Sequence, residues 1–221
     1  MEGRKFANFI DHTILKQYVG TDVISKYCEQ AIEYGFYSVC VNPCYVKFAH
    51  NKLKGSGVKV CTVVGFPLGA NVPGVKAYET KVAVEDGADE IDMVINIGAL
   101  KEGNFDLVRD DILGVVKAAG GKVVKVIIET CFLDDNEKKI ICKIAKECGA
   151  NFIKTSTGFG TGGAKVLDVK LIKSVVGNNM GIKASGGIKD VDMLEELIEA
   201  GASRIGTSSG MELVREHIGL L

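Results

Sequence analysis

The 221 residues carry 27 Lys plus Arg against 28 Asp plus Glu, a formal charge of −1, and 47% of them are hydrophobic. This balance gives no electrostatic case for a nucleic-acid or membrane-surface partner, and the length suits a single domain over residues 1–221 with a large core of its own. No apolar run approaches the roughly 18 residues of a membrane span. The start, Met1–Ile10, is too polar for a secretory signal, so a cytoplasmic location is expected.

In chain order, short apolar runs read as strands near Phe9–Thr13, Ser38–Asn42, Lys59–Val64, Glu90–Ile95, Val123–Glu129, Phe152–Ser156, Gly181–Ser185 and Arg204–Thr207. Most are continuous rather than alternating, as expected of parallel strands covered on both faces. Their starts lie about 20 to 35 residues apart, room for one crossover helix each. Helices are predicted over Asp22–Tyr34, an extra one between the first two strands, over Asn104–Ala119, over Asp135–Cys148 and, with an Asp N-cap, over Asp190–Ala200. A last helix is expected over Met211–His217.

An internal repeat marks the joints. Glu85-Asp-Gly-Ala-Asp-Glu-Ile91, Glu147-Cys-Gly-Ala-Asn-Phe-Ile153 and Glu199-Ala-Gly-Ala-Ser-Arg-Ile205 correspond, with a looser copy at Glu33–Val39. Each follows an amphipathic helix, and the glycine ends that helix by taking the left-handed conformation without a Cβ penalty. Eight βα units favour closure, so the expected class is α/β, a (β/α)8 TIM barrel with an extra N-terminal helical segment.

The joints also set a register. The residue after the apolar position is Cys40, Asp92, Lys154 and Gly206 in the four copies, and Ile10-Asp11 and Ile182-Lys183 share the pattern. Side chains alternate along a strand, so equivalent positions face the same way. Asp11, Cys40, Asp92, Lys154, Lys183 and Gly206 are expected to line the barrel, with Lys125 joining them. One strand lysine alone would read as a side chain reaching for solvent or paired with an acid. Three lysines and two aspartates on one register are costly to bury, and such clusters are where chemistry concentrates. An ammonium about 6 Å from a second one, at an effective dielectric near 20, loses about 2.8 kcal/mol, roughly two pKa units. A paired lysine is thus a device for a free amine, which attacks carbonyls to give Schiff bases. Asp92 is the nearest carboxylate to carry the protons.

Two further segments suit an anion. Lys183-Ala-Ser-Gly186-Gly187 and Gly206-Thr-Ser208-Ser209-Gly210 follow the seventh and eighth strands and open helices. Small residues there expose backbone N–H groups to a phosphate. A third, Thr155-Ser-Thr-Gly158-Phe-Gly160, suits a substrate contact, a mobile loop or a plain turn. The seven cysteines are odd in number and scattered, and His12, His50 and His217 lie far apart. Reduced thiols and no metal are therefore expected.

These stretches, with Ile10-Asp-His-Thr-Ile-Leu-Lys16 and Gly87-Ala-Asp-Glu-Ile-Asp-Met-Val-Ile-Asn-Ile-Gly98, resemble the deoxyribose-phosphate aldolase family over almost the whole chain. The resemblance implies a class I aldolase of carbohydrate and deoxyribonucleotide breakdown, with small phosphorylated sugar and aldehyde substrates and no cofactor. Lys154 then matches the Schiff-base lysine, Lys183 the second lysine that lowers its neighbour's pKa, and Asp92 the proton carrier. Gly158, Gly186, Gly187, Ser208 and Ser209 match the substrate and phosphate loops, with Asp11, Cys40, Lys125 and Thr155 in support. A homodimer is an open partner. The chain departs from some members at Phe159, where they carry lysine, and at its Ile218–Leu221 end, where they carry tyrosine. Another phosphate-binding barrel, such as a sugar-phosphate isomerase or a different Schiff-base lyase, and a non-catalytic phosphosugar binder are the alternatives.

Overall fold

The structure, a computed structural model, describes residues 6–220. Eight strands form it: β1 (Ile10–Ile14), β2 (Ser38–Val41), β3 (Lys59–Val64), β4 (Glu90–Val94), β5 (Val123–Ile127), β6 (Phe152–Lys154), β7 (Gly181–Ser185) and β8 (Arg204–Thr207). Each pairs parallel with the next, and β8 returns to β1, closing the barrel. The helices are α1 (Thr21–Tyr34), α2 (Val46–Leu53), α3 (Pro73–Glu85), α4 (Ile97–Lys101), α5 (Phe105–Ala118), α6 (Asp135–Glu147), α7 (Val166–Val176), α8 (Val191–Glu199) and α9 (Gly210–His217). Helix α1 stands where the sequence puts the extra helix and is the crossover from β1 to β2, while a helical turn at Phe6–Ala7 precedes β1. No described helix is long and apolar enough to cross a membrane.

The repeated glycines behave as their sequence context requires. Gly35, Gly87, Gly149 and Gly201 all have positive φ, between 72° and 116°. Each turns a helix end into the following strand. The predicted N-cap at Asp190 accepts the Met193 N–H, and Asn104 caps α5 in the same way. Asp134 caps α6 with a reciprocal bond from Glu137, so the helix begins one residue after its cap.

The strand faces separate two environments. Val39, Val41, Val60, Val64, Ile91, Met93, Val124, Val126, Ile153, Ile182 and Ile205 belong to the large apolar core shared with the helices. The alternate residues point inward, where Leu15, Cys40, Cys61 and Val63, with Phe66 against them, form a small apolar cluster and Val94 and Ile127 are buried as well. Much of the rest of the lumen is charged. β5 and β6 each end two residues before their apolar runs do, and β2 and β4 one residue before. β5 stops at Ile127 and β6 at Lys154; backbone bonds still link the chain beyond them, from the Ile128 N–H to the Lys154 carbonyl, and side-chain bonds between Glu129 and Thr157 are added there.

His12 on β1 is buried between the rings of Tyr27 and Phe36 and bonds Gln30 through Nε2, while Nδ1 finds no hydrogen-bond partner among the described residues. Burial pushes its pKa down to about 4, against smaller opposing effects of Gln30 and Glu212. The unfolded chain therefore binds this proton first, and stability is lost as pH falls from about 6.5 towards about 4. Wild type should lose about 3 kcal/mol more than His12→Gln between pH 7 and pH 4 in urea unfolding; equal losses would rule out this linkage.

Candidate active site

The lumen is organised on Asp92 of β4. Its Oδ1 accepts from Lys125 Nζ at 2.8 Å and from the Cys61 thiol at 3.2 Å. Its Oδ2 accepts from Lys154 Nζ and Lys183 Nζ, both at 2.8 Å. Strand register makes this convergence: Asp92 lies opposite Lys125 on β5, and Lys154 on β6 lies opposite Lys183 on β7. Gly206 on β8 leaves the necessary space, since a Cβ there would come within 2.9 Å of Lys183 Cε.

A second layer of charge lies beneath. Lys125 also pairs with Glu90 at 2.6 Å, and Lys183 with Asp11 at 2.5 Å. Arg204 reaches Asp11 at 2.9 Å and Glu90 at 3.2 Å, while Ser38 donates to Asp11 at 2.7 Å. The Arg204 guanidinium stacks 3.3 Å from the Tyr37 ring centroid and closes the floor. Sequence reasoning missed Glu90, Arg204 and Cys61. The signal was available: Glu90 is two residues before Asp92, and Arg204 two before Gly206, so each shares its neighbour's face.

Burial alone would push the Asp92 carboxyl up, but Lys125, Lys154 and Lys183 hold it well below the carboxylate range. Asp11 behaves likewise, lowered by Lys183, Lys125 and Arg204 against its own burial. Burial pulls Lys183 and Lys125 down, yet the carboxylates around them win and raise both. The Cys40 thiol is lowered, chiefly by a hydrogen bond from Cys61, whose own thiol is raised by burial. Counting carboxylates and bases, Lys125, Lys154, Lys183 and Arg204 face Asp11, Glu90 and Asp92, all buried. Fully ionised, the cluster carries one positive charge too many.

Above the cluster opens a cavity of about 360 Å³ at the ends of β1, β6, β7 and β8. This size suits a small ligand. Of the three clustered lysines, Lys154 lines it, whereas Lys125 and Lys183 do not. The predicted Gly158, Gly186, Gly187, Ser208 and Ser209 line it as well. Gly158, Gly186 and Gly187 have φ of 85°, 90° and 78°, a backbone that side chains rarely adopt. Ser208 and Ser209 lead into α9, whose positive end faces the same cavity. Lys16 and Lys189, which the sequence reading passed over, add cationic side chains to the rim. Asp11, Cys40 and Lys125 sit deeper and do not line the cavity. Thr155 bridges β6 and β7, taking the Ser185 N–H at 3.1 Å and donating to the Ser185 carbonyl at 3.2 Å.

Among the described residues, two side-chain sets have metal-ligand spacing, Cys40 with Cys61 and Asp92, and Asp11 with Cys61 and Glu90, each within 4.8 Å. Folding assembles them from separate strands among the consecutive β1 to β4, which lie side by side, so no sequence spacing announces them. Both fit a cation poorly, because ammonium and guanidinium groups already occupy the carboxylate oxygens.

The sequence profile of the DeoC/LacD family aldolases matches residues 6–216. The chain belongs to this aldolase family. A deoxyribose-phosphate aldolase of Streptococcus gordonii is 58% identical over 211 residues, 96% of each chain, and one of Thermococcus kodakarensis is 57% identical over 218 residues, 97% of each. Among solved structures, a putative deoxyribose-phosphate aldolase from Coccidioides immitis superposes with a TM-score of 0.96 at 38% identity, covering 99% of this chain and 87% of that one. The aldolase of Aeropyrum pernix, described as a tetramer, gives 0.93 at 32% identity over 100% and 94%. Orotidine 5'-phosphate decarboxylase of Pyrococcus horikoshii, at 14% identity and a TM-score of 0.68, shares the fold alone.

In this aldolase, Asp92→Asn would leave three ammonium groups around a neutral amide. Urea unfolding should register a loss of about 3–5 kcal/mol, the usual result of removing one partner from a buried ion cluster. A loss below about 1 kcal/mol would mean that the charges are solvated after all.

Proposed function

We propose that this chain cleaves 2-deoxy-D-ribose 5-phosphate reversibly to D-glyceraldehyde 3-phosphate and acetaldehyde, through a Schiff base on Lys154. One observation carries the reading: a lysine amine lines a phosphosugar-sized cavity while sharing one carboxylate oxygen with a second, deeper lysine. The names of the relatives support the substrate.

Lys154 Nζ, free of its proton, adds to C1 of the open-chain aldehyde. Loss of water from the carbinolamine gives an iminium. The iminium draws the electron pair of the C2–C3 bond as the C3 hydroxyl gives up its proton. Glyceraldehyde 3-phosphate departs and an enamine stays on the lysine. Protonation at C2 and addition of water return acetaldehyde and the amine. Asp92 Oδ2 touches both Nζ atoms, so a proton can pass between the lysines without leaving the cluster. Lys183 stays cationic between Asp11 and Asp92 and disfavours a second charge beside it. The Gly186–Gly187 and Ser208–Ser209 segments hold the phosphate, which sets the carbonyl over Lys154.

Borohydride with substrate should fix a stable adduct on Lys154, read by peptide mass mapping; an adduct on any other residue refutes the assignment. Lys183→Leu should lower kcat at pH 7 at least a hundredfold. It should also move the acid limb of the pH–rate profile to higher pH, because removing a cation lets the neighbouring amine keep its proton longer. An unmoved limb would exclude this electrostatic role.

A further inference from the structure

Glu129 follows β5 and plays no part in the chemistry above. Among the described residues it is the one non-glycine with positive φ, at 50° with ψ 68°. A side chain with a Cβ holds this conformation where its surroundings impose it, and such positions gather at functional sites. On either side, the Ile128 N–H donates to the Lys154 carbonyl at 3.0 Å and the Thr130 N–H to the Thr155 carbonyl at 2.9 Å. The left-handed residue between them turns its side chain towards the loop that follows Lys154.

There the buried carboxylate accepts the Thr157 N–H at 3.2 Å and 3.4 Å, one contact to each oxygen, and also the Thr157 hydroxyl. Thr157 Oγ1 in turn accepts the Phe159 N–H at 3.0 Å. Gly160 packs onto the same carboxyl, where a Cβ would lie 3.1 Å from Glu129 Cδ. Further on, the Ala164 N–H donates to the Gly186 carbonyl at 3.0 Å, and the Ser185 hydroxyl to the Ser156 carbonyl at 2.6 Å. The loop is thus clamped by Glu129 on one side and by the Gly186 segment on the other, with Gly158 and Phe159 presented to the cavity between.

We propose that Glu129 is a positioning residue: its carboxylate fixes the Thr157–Gly160 loop against the Gly186–Gly187 segment and so sets the affinity for the phosphorylated end of the substrate. The inference rests on the reading of Lys154 and the phosphate segments given above. It separates two parts of the site, because the lysine–aspartate cluster lies below the loop and makes no hydrogen bond to Glu129.

Two variants and two substrates test it. Glu129→Gly keeps the left-handed turn without steric cost and deletes the carboxylate; Glu129→Gln keeps one acceptor oxygen. With 2-deoxyribose 5-phosphate, Glu129→Gly should raise KM at least tenfold while kcat falls less than threefold, with Glu129→Gln in between. With 2-deoxyribose, which has no phosphate, kcat/KM should change less than threefold in both variants. Were Glu129 needed for the turn alone, Glu129→Gly would leave KM for the phosphate ester unchanged, and that result overturns the proposal. Equal losses on both substrates would also overturn it. Wild type treated with acetaldehyde and borohydride provides the separate control: no adduct on Lys154 would remove the underlying reading, whereas an adduct with unaltered variant KM would remove the role of Glu129 alone.

Discussion

One carboxylate inside the barrel receives three ammonium groups, and the rest of the lumen is arranged around that contact. Asp92 could not be ionised in an apolar interior without Lys125, Lys154 and Lys183, nor could three lysines be buried there without it. The lower layer of Asp11, Glu90 and Arg204 brings the count of charges to within one of balance. Lys154 is the member of the cluster that also faces the cavity.

The cost of this arrangement is carried by the outer shell. Barrels of this type commonly fill their interior with branched apolar side chains. Here charged side chains share the lumen with a small apolar cluster about Cys40 and Cys61. Cohesion comes instead from the continuous apolar layer between strands and helices, where Val39, Ile91, Val126, Ile153 and Ile182 are fully or almost fully buried. Strand alternation keeps the two chemistries apart at a spacing of one residue.

Much of this was legible in the chain. The glycine joints located helix ends and strand starts together, because a left-handed residue at a helix terminus fixes where the next strand begins. From those joints followed the shared register of Asp92 and Lys154, and Ile182-Lys183 joined it by the same local pattern. Glu90 and Arg204 are less plain in the chain, since a charged residue at the start of a strand also suits solvent, although each shares a face with Asp92 or Gly206 two residues on. Glu129 was harder to see. It closes an apolar run that reads as strand, and its positive φ answers to Thr157, 28 residues later in the chain and adjacent only once β5 and β6 pair. Cys61 belongs to the same class, since its bond to Asp92 depends on the β3–β4 register. Residues whose role comes from a neighbouring strand carry no local mark.

The stacking of Arg204 on Tyr37 makes the barrel a vessel with a closed bottom. Whatever reaches Lys154 must come and go through the mouth, past the very segments that would grip a phosphate. On the proposed chemistry this imposes a sequence of events. The three-carbon phosphate leaves before the two-carbon fragment can be freed from the lysine, and in the reverse direction the small aldehyde has to be aboard before the larger one corks the entrance. Order of loading would then follow from the bond to the lysine, with the sealed end leaving both fragments a single route.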